Sequence, residues 1–360
     1  MKAAVFQGVG QPMTIEEVEI NQPARNEVLV RVKATGLCHS DLHFIQGKYP
    51  TPVPVVLGHE AAGVVEAVGD GVDLLKPGDH VVSCLSVYCG HCEYCVDGHL
   101  SLCVNTAVKQ PPGVAKRLRW KGEHLGQFLN LSSFAEKMLV HQNALVKVRD
   151  DMPLDYAALL GCGVLTGYGA VARTAQIPAG SRVAVIGCGG VGLSAIHAAR
   201  LAGASRIIAI DIDPQKLEMA KLFGATDGVD GNDAELVQKI VAMTDGGVDY
   251  AFESIGTKKC TQDSFAMLRP HGTSTIVGMI PLGTKVEFHG YDFLFERRVQ
   301  GSMMGSNHFT VDIPRLVDFH MQGRMQLDKL ISKRIRLEDI NEGFAAMERG
   351  GIARSVIVFD

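Results

Sequence analysis

From residue 1 to about 160, short apolar runs alternate with Gly, Pro and Asp turns. Val28–Val32, Ala62–Val68, His80–Cys84 and Phe134–Val140 are such runs, and Lys76-Pro77-Gly78-Asp79 is such a turn. The pattern predicts strands, arranged as a barrel or as partly open antiparallel sheets. Residues 104–130 are polar, contain Pro111-Pro112-Gly113 and the basic cluster Lys116, Arg117 and Arg119, and read as a long surface loop. The texture changes near residue 163. Apolar runs at Arg182–Ile186, Arg206–Ile210, Val248–Glu253 and Ser274–Met279 read as buried strands. Ser194–Leu201 and Gln215–Phe223 carry helical periodicity, with Pro214 placed where a first helical turn tolerates it. Strands alternating with helices imply a parallel sheet with crossovers. After about residue 297 the texture is mixed again and closes on a strand, Ser355–Phe359. No internal repeat is visible.

Composition narrows this picture. At 360 residues the chain exceeds one ordinary domain, and 46% hydrophobic against 21% charged residues excludes global disorder. A net charge of −4 offers no basic field for a nucleic-acid backbone or an anionic membrane. The N-terminal stretch lacks the pattern of a signal peptide, and no run nears the ~18 apolar residues of a membrane span. A soluble cytoplasmic protein is expected, whose nine cysteines stay reduced and need another reason for being there.

Gly187-Cys188-Gly189-Gly190-Val191-Gly192 satisfies G-x-G-x-x-G. In a chain with forty glycines the string alone is weak. Here it follows a strand, opens a helix, and is succeeded 19 residues later by Asp211 at the end of the next strand. Gly187 allows the tight turn, Gly189 the approach of a pyrophosphate, and Gly192 close helix–strand packing; the helix N-terminus offers N–H groups to phosphate. Asp211 would accept hydrogen bonds from the adenosine ribose hydroxyls and repel a 2′-phosphate, which favours NAD over NADP.

Cys89, Cys92, Cys95 and Cys103 place four thiols within fifteen residues. That run can wrap one zinc ion as an all-thiolate tetrahedral site, closed to substrate and therefore structural. An Fe–S cluster prefers other spacings, and disulfides suit another compartment. The segment 84–103 holds Glu93 and Asp97 and no Lys or Arg, which speaks against a nucleic-acid-binding lobe. Of the remaining thiols, Cys84, Cys188 and Cys260 read as packing residues. Cys38, in Gly36-Leu-Cys-His-Ser-Asp-Leu-His43, and Cys162, in Gly161-Cys-Gly163, cannot be paired from spacing alone.

Gly58-His59-Glu60-x2-Gly63-x5-Gly69-x2-Val72 resembles in full the signature of the zinc-containing medium-chain alcohol dehydrogenases. The Cys38 segment, the cysteine lobe, Gly161-Cys162-Gly163-x2-Thr166-Gly167-Tyr168-Gly169, the glycine loop and the tail from Ile340 to Ser355 follow in that family's order. The resemblance covers essentially the whole chain. It implies an α/β fold: a Rossmann doubly wound parallel sheet at 164–296, and a mostly-β, GroES-like catalytic domain from 1–163 and 297–360.

The resemblance further implies two zinc ions per chain and NAD. Cys38, His59 and Cys162 would hold the catalytic zinc with an open fourth position, Asp41 would orient His59 from behind, and Glu60 would lie within reach of transient coordination. Zinc would acidify the substrate alcohol, and hydride would pass to the nicotinamide. Ser40 would contact the substrate oxygen and His43 would relay the proton to solvent. His39 and Arg354 would touch the pyrophosphate, Lys216 the adenosine ribose, and Thr166, Val191, Val277 and Met279 the nicotinamide. Leu85, Phe128 and Leu129 match substrate-lining positions, and with Ser40 they suit medium-sized, apolar or aromatic, primary or secondary alcohols. The glutathione-dependent formaldehyde branch of the family usually carries Arg at the position of Ala107 and Tyr at that of His43; both departures argue against a glutathione adduct, and an S-(hydroxymethyl)thiol/formaldehyde dehydrogenase or an aldehyde reductase is the alternative. The retained long loop and the segment Arg297–Met304 resemble the dimeric branch, so a homodimer is expected.

Overall fold

The computed structural model describes residues 1–109, 117–350 and 354–360. Lys116 and the Pro111-Pro112-Gly113 turn lie outside the described residues. The chain divides into two compact units, Met1–Gly163 with His308–Asp360, and Val164–Asn307.

The first unit is built on two mostly antiparallel sheets. In the larger, Glu27–Gly36 is flanked on one edge by Ala61–Val68 and on the other by Lys137–His141 and then Arg354–Val358. Ten residues, most of them buried, let that strand hold three neighbours. The C-terminal strand is thereby woven into the centre of the N-terminal unit: Val356 lies opposite Gly36, and the Leu37 amide donates to the Ser355 carbonyl. The smaller sheet runs Thr14–Glu17, Lys2–Phe6, Val55–Val56, Glu123–Gln127, Leu118–Trp120 and Glu19–Ile20. Phe6, Leu57, Leu125, Phe134 and Phe344 fill a shared core.

The expected surface loop at 104–130 is corrected in its second half. Leu118–Trp120 and Glu123–Gln127 form a hairpin, and Arg117 is buried rather than solvated, its Nε donating to Glu27 Oε1 at 2.7 Å. A close carboxylate partner overrides the surface preference of arginine.

The second unit is a six-stranded, wholly parallel sheet in the order Asp227–Asp230, Arg206–Asp211, Arg182–Ile186, Val248–Glu253, Leu268–Ile276, Arg298–Gly301. This is the doubly wound order with a switch point beside the first strand. Its helices read from sequence chemistry: Pro214–Phe223 has Asp213 accepting the Gln215 amide at 2.9 Å, Pro214 in the first turn and Gly224 closing the last turn at φ 116°. The structure sets the second boundary at Asn307/His308, not at residue 297. Arg298–Gly301 pairs in register with Thr273–Ile276 and so belongs to the parallel sheet. No single helix among the described residues is long and apolar enough to cross a membrane.

Candidate active site and metal centres

The helix His39–Ile45 begins directly after Cys38. Its second and fifth residues, Ser40 and His43, are half-buried; His39 is exposed. Asp41 is fully buried, and its Oδ1 meets His59 Nδ1 at 3.0 Å and accepts the Gly58 amide at 3.2 Å. That contact fixes the ring of His59 and leaves Nε2 buried with no hydrogen-bond partner among the described residues. Cys38, His59, Glu60 and Cys162 each offer one donor atom, and all four atoms lie within 4.8 Å of one another in a buried cluster.

An orphaned buried imidazole nitrogen costs about 1–3 kcal/mol, which coordination removes. Two thiols, an imidazole held from behind by a carboxylate, and no hydrogen bond at the inward nitrogen fit zinc with an open position. The donors strongly perturb one another. Sharing with Cys162 holds the Cys38 thiol well below its usual range, while Cys162 is pushed up by the same bond. Burial opposes charge on His59, but Asp41 and Cys38 outweigh it and raise its pKa.

Glu60 does not stand free beside the cluster. Arg354 Nη1 donates to its Oε1 at 2.7 Å and lies 2.8 Å from Oε2, and the Gly163 amide donates to Oε1 at 3.1 Å. Burial pushes Glu60 up to about 7 against the pull of Arg354. Arg354, expected at the pyrophosphate, is 6% exposed and commits Nη1 to Glu60 and the Leu37 carbonyl. A side chain at Gly163 would fall 1.8 Å from the guanidinium, so only glycine admits the pair. This pairing was missed in the sequence; its one signal is a lone arginine opening an apolar strand.

Phe128 is buried with its ring edge-on to His59, centroids 6.1 Å apart, and to Phe44 at 4.8 Å. Phe44 was also missed, because its place depends on the turn of a seven-residue helix. Leu129 and Leu85 are half-buried; Leu85 packs toward the cysteine lobe. His43 stacks on Tyr49 at 6.1 Å, and its Nδ1 has no partner among the described residues. Burial, then Lys48, lowers its pKa.

The lobe brings Cys89, Cys92, Cys95 and Cys103 into a second cluster within the same 4.8 Å limit. The Cys89 sulfur accepts from the Cys92 amide at 3.3 Å and the His91 amide at 3.5 Å. The Cys95 amide is the largest influence drawing Cys92 down to about 6, toward thiolate. Burial pushes Cys95 in the same lobe up to about 12, and likewise Cys84 up to about 11 and Cys188 up to about 12, and it raises Cys260.

In the second unit Gly187 has φ 93°, and a side chain at Gly192 would strike the Gly187 carbonyl at 1.7 Å, whereas one at Gly189 would meet nothing within 4 Å. The loop is closed on its strand side and open where a pyrophosphate would lie. Asp211 is buried at the end of its strand and accepts the Cys188 amide at 2.7 Å and the Asp213 amide at 3.0 Å. Val191 lies in the first turn of the loop's helix, Lys216 in the first turn of the next. Thr166 is buried against Met304 Sδ at 3.6 Å; the Val277 amide donates to the Glu253 carbonyl, and Met279 backs onto Gly256.

The family model described as alcohol dehydrogenase GroES-like domain matches residues 24–150, and that described as zinc-binding dehydrogenase matches 190–320. An alcohol dehydrogenase class-3 of Myxine glutinosa is 39% identical over 364 residues, spanning 99% of this chain and 97% of that protein. The chain belongs to the zinc-containing medium-chain alcohol dehydrogenase family. A solved alcohol dehydrogenase zinc-binding domain protein from Burkholderia ambifaria superposes with a TM-score of 0.95 at 41% identity, covering 100% of this chain and 98% of that one. The benzyl alcohol dehydrogenase of Acinetobacter calcoaceticus does so at 0.94 and 36%, covering 100% and 99%. Membership makes the protein a zinc-dependent alcohol oxidoreductase with zinc and NAD as cofactors, and confirms the GroES-like and Rossmann halves expected from the sequence.

Proposed function

We propose that this dehydrogenase interconverts medium-sized alcohols of apolar or aromatic body, primary or secondary, with their aldehydes or ketones. Its reading rests on one observation above the others: the buried Cys38, His59 and Cys162 cluster has the ring of Phe128 against its histidine. When bound, zinc supplies the Lewis acidity that makes an alcohol hydroxyl acidic, and NAD accepts the hydride. Cys38, His59 and Cys162 hold that zinc, and Cys89, Cys92, Cys95 and Cys103 hold a second, structural ion. Asp41 fixes the His59 ring. Ser40 is the relay next to the substrate oxygen, giving up its own hydroxyl proton as it accepts the substrate's, and His43, neutral near pH 7, is the group that takes the released proton on to solvent. Leu85, Phe128 and Leu129 line the alcohol's body. Asp211 and Lys216 receive the adenosine ribose, and the Gly187–Gly192 loop the pyrophosphate.

NADH formation at 340 nm tests the substrate reading. Benzyl and medium-chain alcohols should reduce NAD without glutathione. Turnover confined to formaldehyde with glutathione would replace this reading with the S-(hydroxymethyl)thiol one. Metal analysis should return two zincs per chain.

A homodimer is the proposed assembly. Arg298–Gly301 is an edge strand with no second neighbour among the described strands, and Tyr291, Phe293, Leu294 and Met303 nearby in sequence are exposed. Light scattering should give twice 38.7 kDa. The proposed compartment is the cytoplasm, where nine unbridged cysteines remain reduced.

A further inference from the structure

The wall of the alcohol pocket rests on backbone that its residues do not favour. Leu129, Asn130 and Ser132 all sit at positive φ, 48°, 64° and 59°, though none is glycine. Such a turn persists only where its surroundings over-determine it.

Three pairs of hydrogen bonds do so. Ser132 Oγ donates to the Val56 carbonyl at 2.6 Å and accepts the Phe128 amide at 2.7 Å. Gln127 Nε2 donates to the carbonyls of Leu131 at 3.2 Å and Leu139 at 2.9 Å, spanning the base of the turn. The far limb is tied to the residues before His59: the Ser133 amide donates to the Gly58 carbonyl and the Phe134 amide to that of Leu57. The pocket wall and a zinc ligand therefore share one frame.

The Gln127 amide can span two carbonyls only if its own oxygen is held. Arg117 Nη1 donates to Gln127 Oε1 at 2.8 Å, and Arg117 Nε donates to Glu27 Oε1 at 2.7 Å. Arg117 and Gln127 are buried. The guanidinium fork serves two acceptors at fixed angles, a geometry that an ammonium does not reproduce. Burying such a series where apolar side chains would pack has its return in a fixed geometry rather than in stability.

We infer that Glu27, Arg117 and Gln127 form a positioning network that sets the shape of the alcohol pocket through Phe128 and Leu129, so that Arg117 governs how a bulky alcohol is told from a small one. This inference rests on the alcohol reading above.

The test compares Arg117→Lys and Glu27→Gln with the parent enzyme, zinc-loaded and with NAD. The readouts are kcat and KM for benzyl alcohol and for ethanol, zinc content and the unfolding midpoint. Arg117→Lys should shift the ratio of kcat/KM, benzyl alcohol over ethanol, by about tenfold, mainly through the KM of benzyl alcohol, with zinc content unchanged. Glu27→Gln, which keeps an acceptor, should shift it by roughly threefold in the same direction. A merely structural role would lower the midpoint and depress both alcohols in equal proportion. A ratio within about twofold of the parent overturns the inference. If Arg117→Lys does not fold, Glu27→Gln decides alone. Calorimetric binding of benzamide against acetamide to the NADH-loaded protein gives the same ratio without turnover. A parent inactive on both alcohols would therefore sink the alcohol reading while the network is still judged.

Discussion

The two candidate metal clusters gather their donors in opposite ways. The cysteine lobe offers four thiols from fifteen consecutive residues, and two of them are only half-buried. The buried cluster gathers its donors from residues 38, 59 and 162 and has Glu60, Asp41 and Arg354 around them. A local loop can close a tetrahedron by itself, which makes it a fastening. Ligands dispersed over three elements are held by the fold instead, so the fold can leave one coordination position open.

The largest effect that would separate the two sites is Cys162→Ala. Alcohol oxidation should fall by roughly a thousandfold or more, with one zinc lost and the unfolding midpoint little changed. A collapsed midpoint would make the dispersed site a fastening too. Cys95→Ala should do the reverse. Stability should fall by on the order of 3 kcal/mol or more in denaturant titration, because structural zinc affinity is folding energy. Activity per folded molecule should remain.

Next in size is Asp211→Asn, which should narrow the preference for NAD over NADP by about a hundredfold, read as the ratio of kcat/KM values. A parent that already prefers NADP would break the reading of Asp211. Asp41→Asn should weaken catalytic zinc binding by roughly ten- to a hundredfold in chelator competition while sparing the lobe. The smallest effect is expected at His43. Burial holds its pKa below 6.5, so the neutral, proton-accepting form persists at pH 7 and is lost as pH falls through that lowered value. Oxidation should fade on the acid side, and His43→Gln should lose about tenfold in rate together with that acid limb.

The same contrast explains what could be read in advance. The lobe, the glycine loop and the acidic residue after it were legible from spacing, because each is local. Arg182–Ile186 and Val248–Glu253 form at the predicted limits, since continuous apolar runs between turns specify buried parallel strands. Cys38 and Cys162 could be paired only by resemblance to a family, because 123 intervening residues carry no sign of contact. The boundary near 297 was misplaced for a related reason: Arg298–Gly301 is short and mixed, and only its register with Thr273–Ile276 assigns it to the sheet. Arg117 looked like part of a solvated basic loop until Glu27, 90 positions earlier, supplied its partner.

The pairing of Glu60 with Arg354 bears on the order of synthesis. A chain emerging from the ribosome delivers Cys38, His59 and Glu60 early and Cys162 midway, yet the guanidinium that neutralises Glu60 comes 294 residues after it. Until then a carboxyl buried at this place favours its protonated form, because burial pushes its pKa up and Arg354 is what opposes it. The catalytic centre is therefore finished only when the last strand docks. A nascent chain can fasten its cysteine lobe long before it can act on an alcohol.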